Sequence, residues 1–262
     1  MKTAADFRFI AREALRGKWR VAILTGFVAC LTGAAGIPES VGDSDTINAI
    51  PDLIRTAVSG TPYQPWLTAV TILLVAYILI CSIIGGATEL GYDRFNLKLV
   101  DGRDAAFSDL FSQMRRIGSG FCLNFLIVLF TMLWSLLLVV PGIVKSFSYA
   151  MSSYILAENP DIGALEAITE SRRIMQGNKW RLFCLWLSFI GWKLLCSVPM
   201  FIAGIAFARS EIVVEVGKTA ALPVLLMWLA IATIPCFICR LFLQPYVSSA
   251  TAAFYRDISK HT

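Results

Sequence analysis

The chain alternates long apolar runs with short polar segments that are rich in arginine and lysine. An α-helix needs about 20 consecutive apolar residues to cross the hydrocarbon core of a bilayer. Five runs reach or approach that length, at about 19–37, 66–86, 121–140, 180–198 and 222–240. The pattern therefore predicts an all-α, polytopic membrane protein, in which residues 1–262 form a single transmembrane domain.

A sixth and shorter span is predicted at 143–157. This segment is apolar except for Lys145 and a few hydroxyl groups, and it follows directly on Pro141-Gly142. Because proline and glycine favour turns, the pair Pro141-Gly142 is predicted to form the outer turn of a helical hairpin. The alternative is a re-entrant segment at 143–157.

The distribution of charge favours six transmembrane spans rather than five. Membrane proteins concentrate Lys and Arg in their cytoplasmic segments. If 143–157 crosses the bilayer, the basic segments 87–118 and 158–181 share one side with both termini, and the acidic loop 38–65 lies on the other side. Without that crossing, 158–181 would lie outside. We therefore predict six transmembrane helices with both termini cytoplasmic, although a re-entrant 143–157 satisfies the charge pattern equally.

Three cytoplasmic segments share one layout, in which an amphipathic helix leads into the next apolar run. They are 4–17, 105–118 and 160–177, and the first and last end at Gly17 and Gly177. This layout predicts a threefold repeat of amphipathic helix plus hairpin, with the copies related by an axis along the membrane normal. The alternative is that multi-pass proteins alternate basic segments with spans in any case.

The first amphipathic segment carries a regular stripe of positive charge. Its apolar residues Phe7, Ile10, Ala11 and Ala14 share one side of a helix. The basic stripe consists of Arg8, Arg12, Arg16 and Arg20. At a cytoplasmic membrane surface each cation is worth about 1 kcal/mol against anionic lipid, so the stripe is a candidate lipid-binding site. Simple anchoring of the topology is the alternative.

The two other amphipathic segments are predicted from the same spacing. In the middle segment Phe107, Leu110, Phe111 and Met114 form an apolar side. In the last segment the apolar side is formed by Leu165, Ile168 and Met175. Asn159 is predicted to cap the N-terminus of this last helix, with Pro160 in its first turn. Glu158 is predicted to fix the turn that leads into it.

Composition agrees with a membrane protein and argues against a soluble or nucleic-acid-binding one. Hydrophobic residues make up 57% and charged residues only 16% of the chain, and the mean hydropathy is +0.69. Soluble domains carry about 25% charged residues. The net charge of +5 resides in the segments between apolar runs, where it indicates orientation and contact with anionic lipid.

Three polar residues are candidates for an intramembrane site: Lys193, Arg240 and Gln244. Lys193 lies deep in the fifth run, where a charge is costly unless its long side chain reaches the membrane surface. Pro199 is predicted to mark the outer end of the fifth span, and Pro235 to interrupt the sixth run, with Pro245 after Arg240 and Gln244. The alternative to an interruption is a kink near the cytoplasmic end. Convergence of the three polar side chains on one wet cavity would favour transport, because broken helices often line substrate sites.

The residue patterns of enzymes and metal sites are missing from the sequence. His261 is the only histidine, and Cys236-x-x-Cys239 lies within an apolar run without a histidine nearby. The acidic residues nearest to the spans lie at or beyond their cytoplasmic ends: Glu89, Asp93, Glu158 and Asp161. We therefore predict no catalytic residue, no metal, no cofactor and no buried relay of acids.

The order of several motifs resembles a bacterial integral-membrane family that is catalogued as a domain of unknown function, number 975. The motifs are Pro141-Gly142-Ile143, Glu158, Ser171, Met175, Gly177, Leu187–Trp192 and Pro245-Tyr246. The same block is distantly similar to the membrane domain of some glycerophosphodiester phosphodiesterases. The resemblance implies the bacterial cytoplasmic (inner) membrane as the location. It implies no reaction, because the family is uncharacterised.

Two functions are compatible with these observations. The first is a non-catalytic scaffold that binds membrane lipids or a membrane or cytoplasmic partner protein through its amphipathic helices. The alternative is a transporter or channel for a small or lipidic solute. No contact with nucleic acid is expected.

Overall fold

The computed structural model describes residues 2–32, 65–137, 139–159, 161–209 and 221–260. The helices are α1 (Ala4–Leu15), α2 (Trp19–Leu31), α3 (Pro65–Val100), α4 (Ile117–Leu137), α5 (Val139–Tyr149), α6 (Ser152–Glu158), α7 (Ala164–Ile174), α8 (Lys179–Arg209) and α9 (Ala221–Ser259). Two short 3-10 helices, Phe107–Phe111 and Met114–Arg116, precede α4. The described residues contain no strand, which confirms the all-α prediction. The outer loop predicted at 38–65 lies outside the described residues except for Pro65.

Two stretches of the described residues are long and apolar enough to cross a membrane. They are Phe107–Leu136, with a mean hydropathy of 1.9, and Lys179–Pro199, with 1.6, and the shorter apolar helix Trp19–Leu31 accompanies them. Only 11% and 17% of their most apolar windows are buried inside the protein. The core helix of a soluble protein would instead be mostly buried. These exposed apolar helices suggest association with a membrane.

Two helices continue well past the predicted ends of their spans. Helix α3 runs beyond 66–86 to Val100, and α9 runs through Pro235 and Pro245 to Ser259. The prediction that prolines interrupt this last span is wrong. A proline removes only one helical hydrogen bond, and its ring needs space that neighbours must leave free. Pro245 has this space, because its ring lies against Gly26 of α2.

The prediction that a proline ends the helix is also wrong at the fifth predicted span. Helix α8 continues through Pro199 to Arg209, so Pro199 does not mark the end of the helix.

The helical hairpin around Pro141 is present, but Pro141 and Gly142 are themselves helical instead of forming its turn. Helices α4 and α5 pack against each other, and the helix of the return arm already begins at Val139. Pro141 therefore lies in the first turn of α5, where a missing N–H costs nothing. Gly142 packs against Ser135 of α4. The segment 143–157 is not one helix, since α5 ends at Tyr149 and α6 begins at Ser152.

The first and last amphipathic segments are helices, as predicted. Each ends at a glycine in the left-handed region, with φ +78° at Gly17 and +80° at Gly177. The predicted N-cap of the last helix is wrong, because α7 begins at Ala164 with Gly163 as its N-cap. Asn159 instead ends α6, where its backbone N–H donates to the carbonyl of Ile155.

The middle amphipathic segment forms two 3-10 helices rather than the predicted α-helix. Asp109 accounts for the difference. Its carboxylate accepts a hydrogen bond from the N–H of Ala106 at 3.0 Å and pairs with Lys98 at 2.6 Å. The hydroxyl of Ser112 donates to the carbonyl of Asp109 at 2.7 Å, which competes with helical bonding of the backbone.

The helices contact one another in a ring. Helix α2 packs between α9 and α3, α4 packs between α3 and α5, and α8 packs between α5 and α9. The amphipathic elements follow the same order: α1 packs on α9, the 3-10 helix Phe107–Phe111 on α3, and α7 on α6. The main core lies where the C-terminal parts of α3, α6 and α9 meet.

Candidate functional site

The basic stripe of α1 is largely on the surface. Arg12, Arg16 and Arg20 are exposed, and Arg8 is half-buried. The apolar side of α1 is used within the protein: Phe7 is 1% exposed and makes an edge-to-face contact with Phe254 of α9, with 5.4 Å between ring centroids. This contact holds the helix so that the arginines face outward.

One large apolar side chain lies on the same outward face. Phe9 of α1 is 63% exposed, next to the arginines of the stripe. On the last amphipathic helix, Leu165 was predicted to join the apolar side, but it is 58% exposed, whereas Ile168 and Met175 are buried as predicted. Exposed apolar residues beside cations are typical of helices that lie at a membrane surface.

The three intramembrane candidates are on the facing helices α8 and α9. Lys193 is exposed, and its amine lies 5.6 Å from the centroid of the Trp186 ring. Arg240 is exposed and Gln244 is half-buried. The two clefts described below include none of the three. Neither cleft therefore supports the transport alternative, which required Lys193, Arg240 and Gln244 to line one cavity.

Glu158 has a role that the sequence did not predict. Its carboxylate accepts a hydrogen bond from the hydroxyl of Tyr255 at 2.8 Å and pairs with Arg256 at 2.6 Å. It therefore ties the end of α6 to α9. Burial, followed by the charge and hydrogen bond of Glu158, raises the pKa of Tyr255.

Arg256 joins the ends of three helices. Its guanidinium binds both carboxylate oxygens of Asp101 at the end of α3, at 2.8 and 2.6 Å, as well as Glu158. Burial lowers the pKa of Arg256, but its contacts with Asp101 and Glu158 outweigh that effect and raise it. A second cluster lies nearby, where Arg181 of α8 pairs with Asp257 of α9 at 2.7 Å.

A buried Asp93 and a half-buried Glu89 on α3 form an acidic pair that the sequence did not predict. Asp93 is only 6% exposed, and one of its oxygens, Oδ2, has no hydrogen-bond partner among the described residues. Glu89, one helical turn earlier, accepts a hydrogen bond from the side-chain amide of Asn124 at 2.8 Å. The prediction that no acid is buried is therefore wrong, because α3 continues past the apolar run and its packing against α6 buries Asp93.

The surroundings of this pair change its protonation. Burial raises the pKa of Glu89 to about 7, although the Asn124 hydrogen bond acts in the opposite direction. Burial, and then the negative charge of Glu89, raise the pKa of Asp93, which hydrogen bonds with Ser153 and Tyr154 only partly offset. Both carboxyl groups lie beyond the predicted span 66–86.

Two adjoining clefts lie around the Asp101–Arg256 pair. The first has a volume of about 220 Å³, and its charged lining residues are Arg94, Lys98, Asp101, Arg103, Glu158 and Arg256. The second, of about 600 Å³, shares Asp101, Arg103 and Arg256 and adds Lys2, Asp257 and Lys260. The described residues contain no group of three or more His, Cys, Asp or Glu that could hold a metal ion.

The family match includes those lining residues of the clefts that come from the C-terminal half of the chain. The model of the family described as "Protein of unknown function (DUF975)" matches residues 136–262. The DUF975 region contains Pro141, Gly142, Glu158 and Gly177, and it confirms the family resemblance seen in the sequence motifs. It supplies Glu158 and Arg256 to the first cleft, whereas Arg94 and Asp101 lie before it. No curated protein and no solved structure matches the chain.

Proposed function

We propose that this protein is a non-catalytic, multi-pass scaffold of the bacterial cytoplasmic membrane that binds anionic lipid through the basic stripe of α1. The observation that carries the proposal is the exposure of long apolar helices. Met132, Leu133 and Leu136 of α4 are 70%, 63% and 85% exposed, and Leu194 and Leu195 of α8 are 59% and 62% exposed. Such a surface requires lipid or a partner to cover it.

The proposed topology has six spans with both termini cytoplasmic. The alternation of basic and acidic segments supports it. A membrane-impermeant thiol reagent should label an Arg12→Cys variant in inverted membrane vesicles only, because α1 would face the cytoplasm. A Ser44→Cys variant is the control for the other side of the membrane. It lies in the predicted outer loop, so the reagent should label it only in right-side-out vesicles. The reversed labelling pattern would contradict this topology, and the unsubstituted chain measures background labelling.

A threefold repeat of amphipathic element plus hairpin is part of the proposal. The ring of contacts supports it, because each amphipathic element packs on the return helix of the preceding unit. The first and third units also correspond residue by residue at a fixed offset. The corresponding buried pairs are Ala11 and Ser171, Leu15 and Met175, and Ala22 and Leu182. An experimental structure in lipid in which the three hairpins are unrelated by rotation would rule the repeat out.

Neutralising the basic stripe should weaken binding of anionic lipid. We expect that replacing Arg8, Arg12, Arg16 and Arg20 with Gln removes most of the thermal stabilisation that phosphatidylglycerol gives the purified protein in detergent, since each cation contributes about 1 kcal/mol. The measurement is the unfolding midpoint with added phosphatidylglycerol or phosphatidylcholine. The four-Lys variant keeps the charge and should retain the effect. Equal stabilisation of the Gln and Lys variants would disprove the lipid-binding role.

A further inference from the structure

The smaller of the two clefts is surrounded by cations from separate parts of the chain. Arg94 and Lys98 come from α3, Arg103 follows that helix, and Arg256 comes from α9. The two carboxylates in its lining, Asp101 and Glu158, are both bound to Arg256. The lining therefore holds four cations and two carboxylates, and both carboxylates already pair with Arg256.

Two polar groups in this lining have no partner among the described residues. The guanidinium of Arg94 is exposed and makes no ion pair or hydrogen bond with the described part of the chain. Gln113 is only 5% exposed, and its side-chain amide likewise makes no hydrogen bond there. The amide atoms of Gln113 stay accessible from the cleft that the residue lines, so its N–H groups can donate to a group that enters the cleft.

The other two cations are partly engaged. Lys98 pairs with Asp109 at 2.6 Å, and Arg103 lies 3.8 Å from Asp101. Arg94 is thus the cation whose charge no described carboxylate balances. The cleft combines an unbalanced guanidinium with an accessible amide donor, and both are groups that recognise an anion.

We propose that this cleft binds a phosphate group, carried either by a small soluble molecule or by a lipid headgroup. A guanidinium matches two phosphate oxygens at once, which an ammonium cannot do. The amide N–H of Gln113 would donate to a third oxygen. The volume of about 220 Å³ lies below that of pockets that enclose drug-sized ligands, and it suits a compact anion.

The position of the cleft allows either source of phosphate. Along α3, residues 94–101 lie roughly 12–22 Å past Gly86 at a rise of about 1.5 Å per residue. Given the proposed topology, the Arg94 end lies near the headgroups and the Asp101 end faces the cytoplasm. The cleft is formed by other residues than the basic stripe of α1, so either site can fail its test while the other passes.

The test is a titration of the purified full-length protein in detergent with inorganic phosphate, at constant ionic strength set with sodium chloride. We expect phosphate to raise the unfolding midpoint. Arg94→Gln should raise the half-saturating phosphate concentration about tenfold, because it removes a charge-assisted hydrogen bond. Gln113→Leu should also raise this concentration. Arg172→Gln is the matched control, an exposed arginine of α7 away from the cleft.

A second arm distinguishes the two sources. The same variants are compared in phosphatidylcholine nanodiscs with and without phosphatidylglycerol. Stabilisation by inorganic phosphate that depends on Arg94 identifies a soluble ligand. Stabilisation by phosphatidylglycerol alone, again dependent on Arg94, identifies a headgroup. If Arg94→Gln and Gln113→Leu behave like Arg172→Gln in both arms, the cleft does not bind phosphate.

Discussion

Replacing Gly86 with alanine should strongly destabilise the protein, by about 3 kcal/mol, because it separates two helices that touch through their backbones. A Cβ atom at Gly86 of α3 would lie 2.6 Å from the carbonyl oxygen of Gly120 in α4, and one at Gly120 would lie 2.5 Å from the carbonyl carbon of Gly86. No side-chain rotation relieves a clash with backbone. The expected measurement is a lower unfolding midpoint and a reduced monodisperse fraction in detergent.

The matched control is Gly118, which lies on α4 two residues before Gly120, the partner of Gly86 in the contact. A Cβ atom at Gly118 of α4 would meet nothing within 4 Å. Gly118→Ala should therefore be neutral or stabilising, since alanine favours a helix over glycine by about 1 kcal/mol. If Gly86→Ala and Gly118→Ala lowered the unfolding midpoint equally, the close approach of α3 and α4 would not be the cause.

The close contact of α3 and α4 has a second consequence. Glu89 lies one turn after Gly86, and Asn124 lies one turn after Gly120, so the crossing brings the two side chains within 2.8 Å. Separation of the helices by an alanine at Gly86 would also break this hydrogen bond. The small residues at the crossing and the polar pair beside it therefore act together, as is common where membrane helices pack.

Local patterns in the sequence predicted the local structure well. The periodicity of 4–17 placed α1 and its buried side, and Gly17 and Gly177 ended helices as expected. These features depend on residues within one or two turns of each other. The middle segment failed because Asp109 gives its backbone a competing set of hydrogen bonds, and the periodicity of apolar residues does not report such competition.

Features that depend on distant residues were not predicted. Arg256 and Asp101 are separated by 155 positions, and nothing in either neighbourhood indicates the other. Asp93 looked like a residue at the end of a span because the apolar run stops before it. The helix continues, however, and packing against α6 buries the side chain. The spacing of Glu89 and Asp93 by four residues was the available signal, since it places both on one side of a helix.

The acidic pair of Glu89 and Asp93 should make stability fall as pH rises. The pKa of Glu89 is raised in the folded protein from an ordinary value of 4.5 to about 7. The folded state therefore binds the proton more tightly than the unfolded chain does. This contribution to stability is complete below pH 4.5 and is lost as pH increases through about 7. Asp93 shifts in the same direction and extends the decline.

Glu89→Gln should remove much of this dependence and raise stability at pH 8. The amide keeps a neutral partner for Asn124 without the burial of charge, and the expected gain is about 2 kcal/mol after allowance for the partial exposure of Glu89. The measurement is the unfolding midpoint in detergent between pH 5 and pH 8. Glu166→Gln, at an exposed position of α7, is the control and should keep the wild-type slope. A wild-type midpoint that rises with pH would reverse the sign and show that Glu89 is ionised in the folded protein.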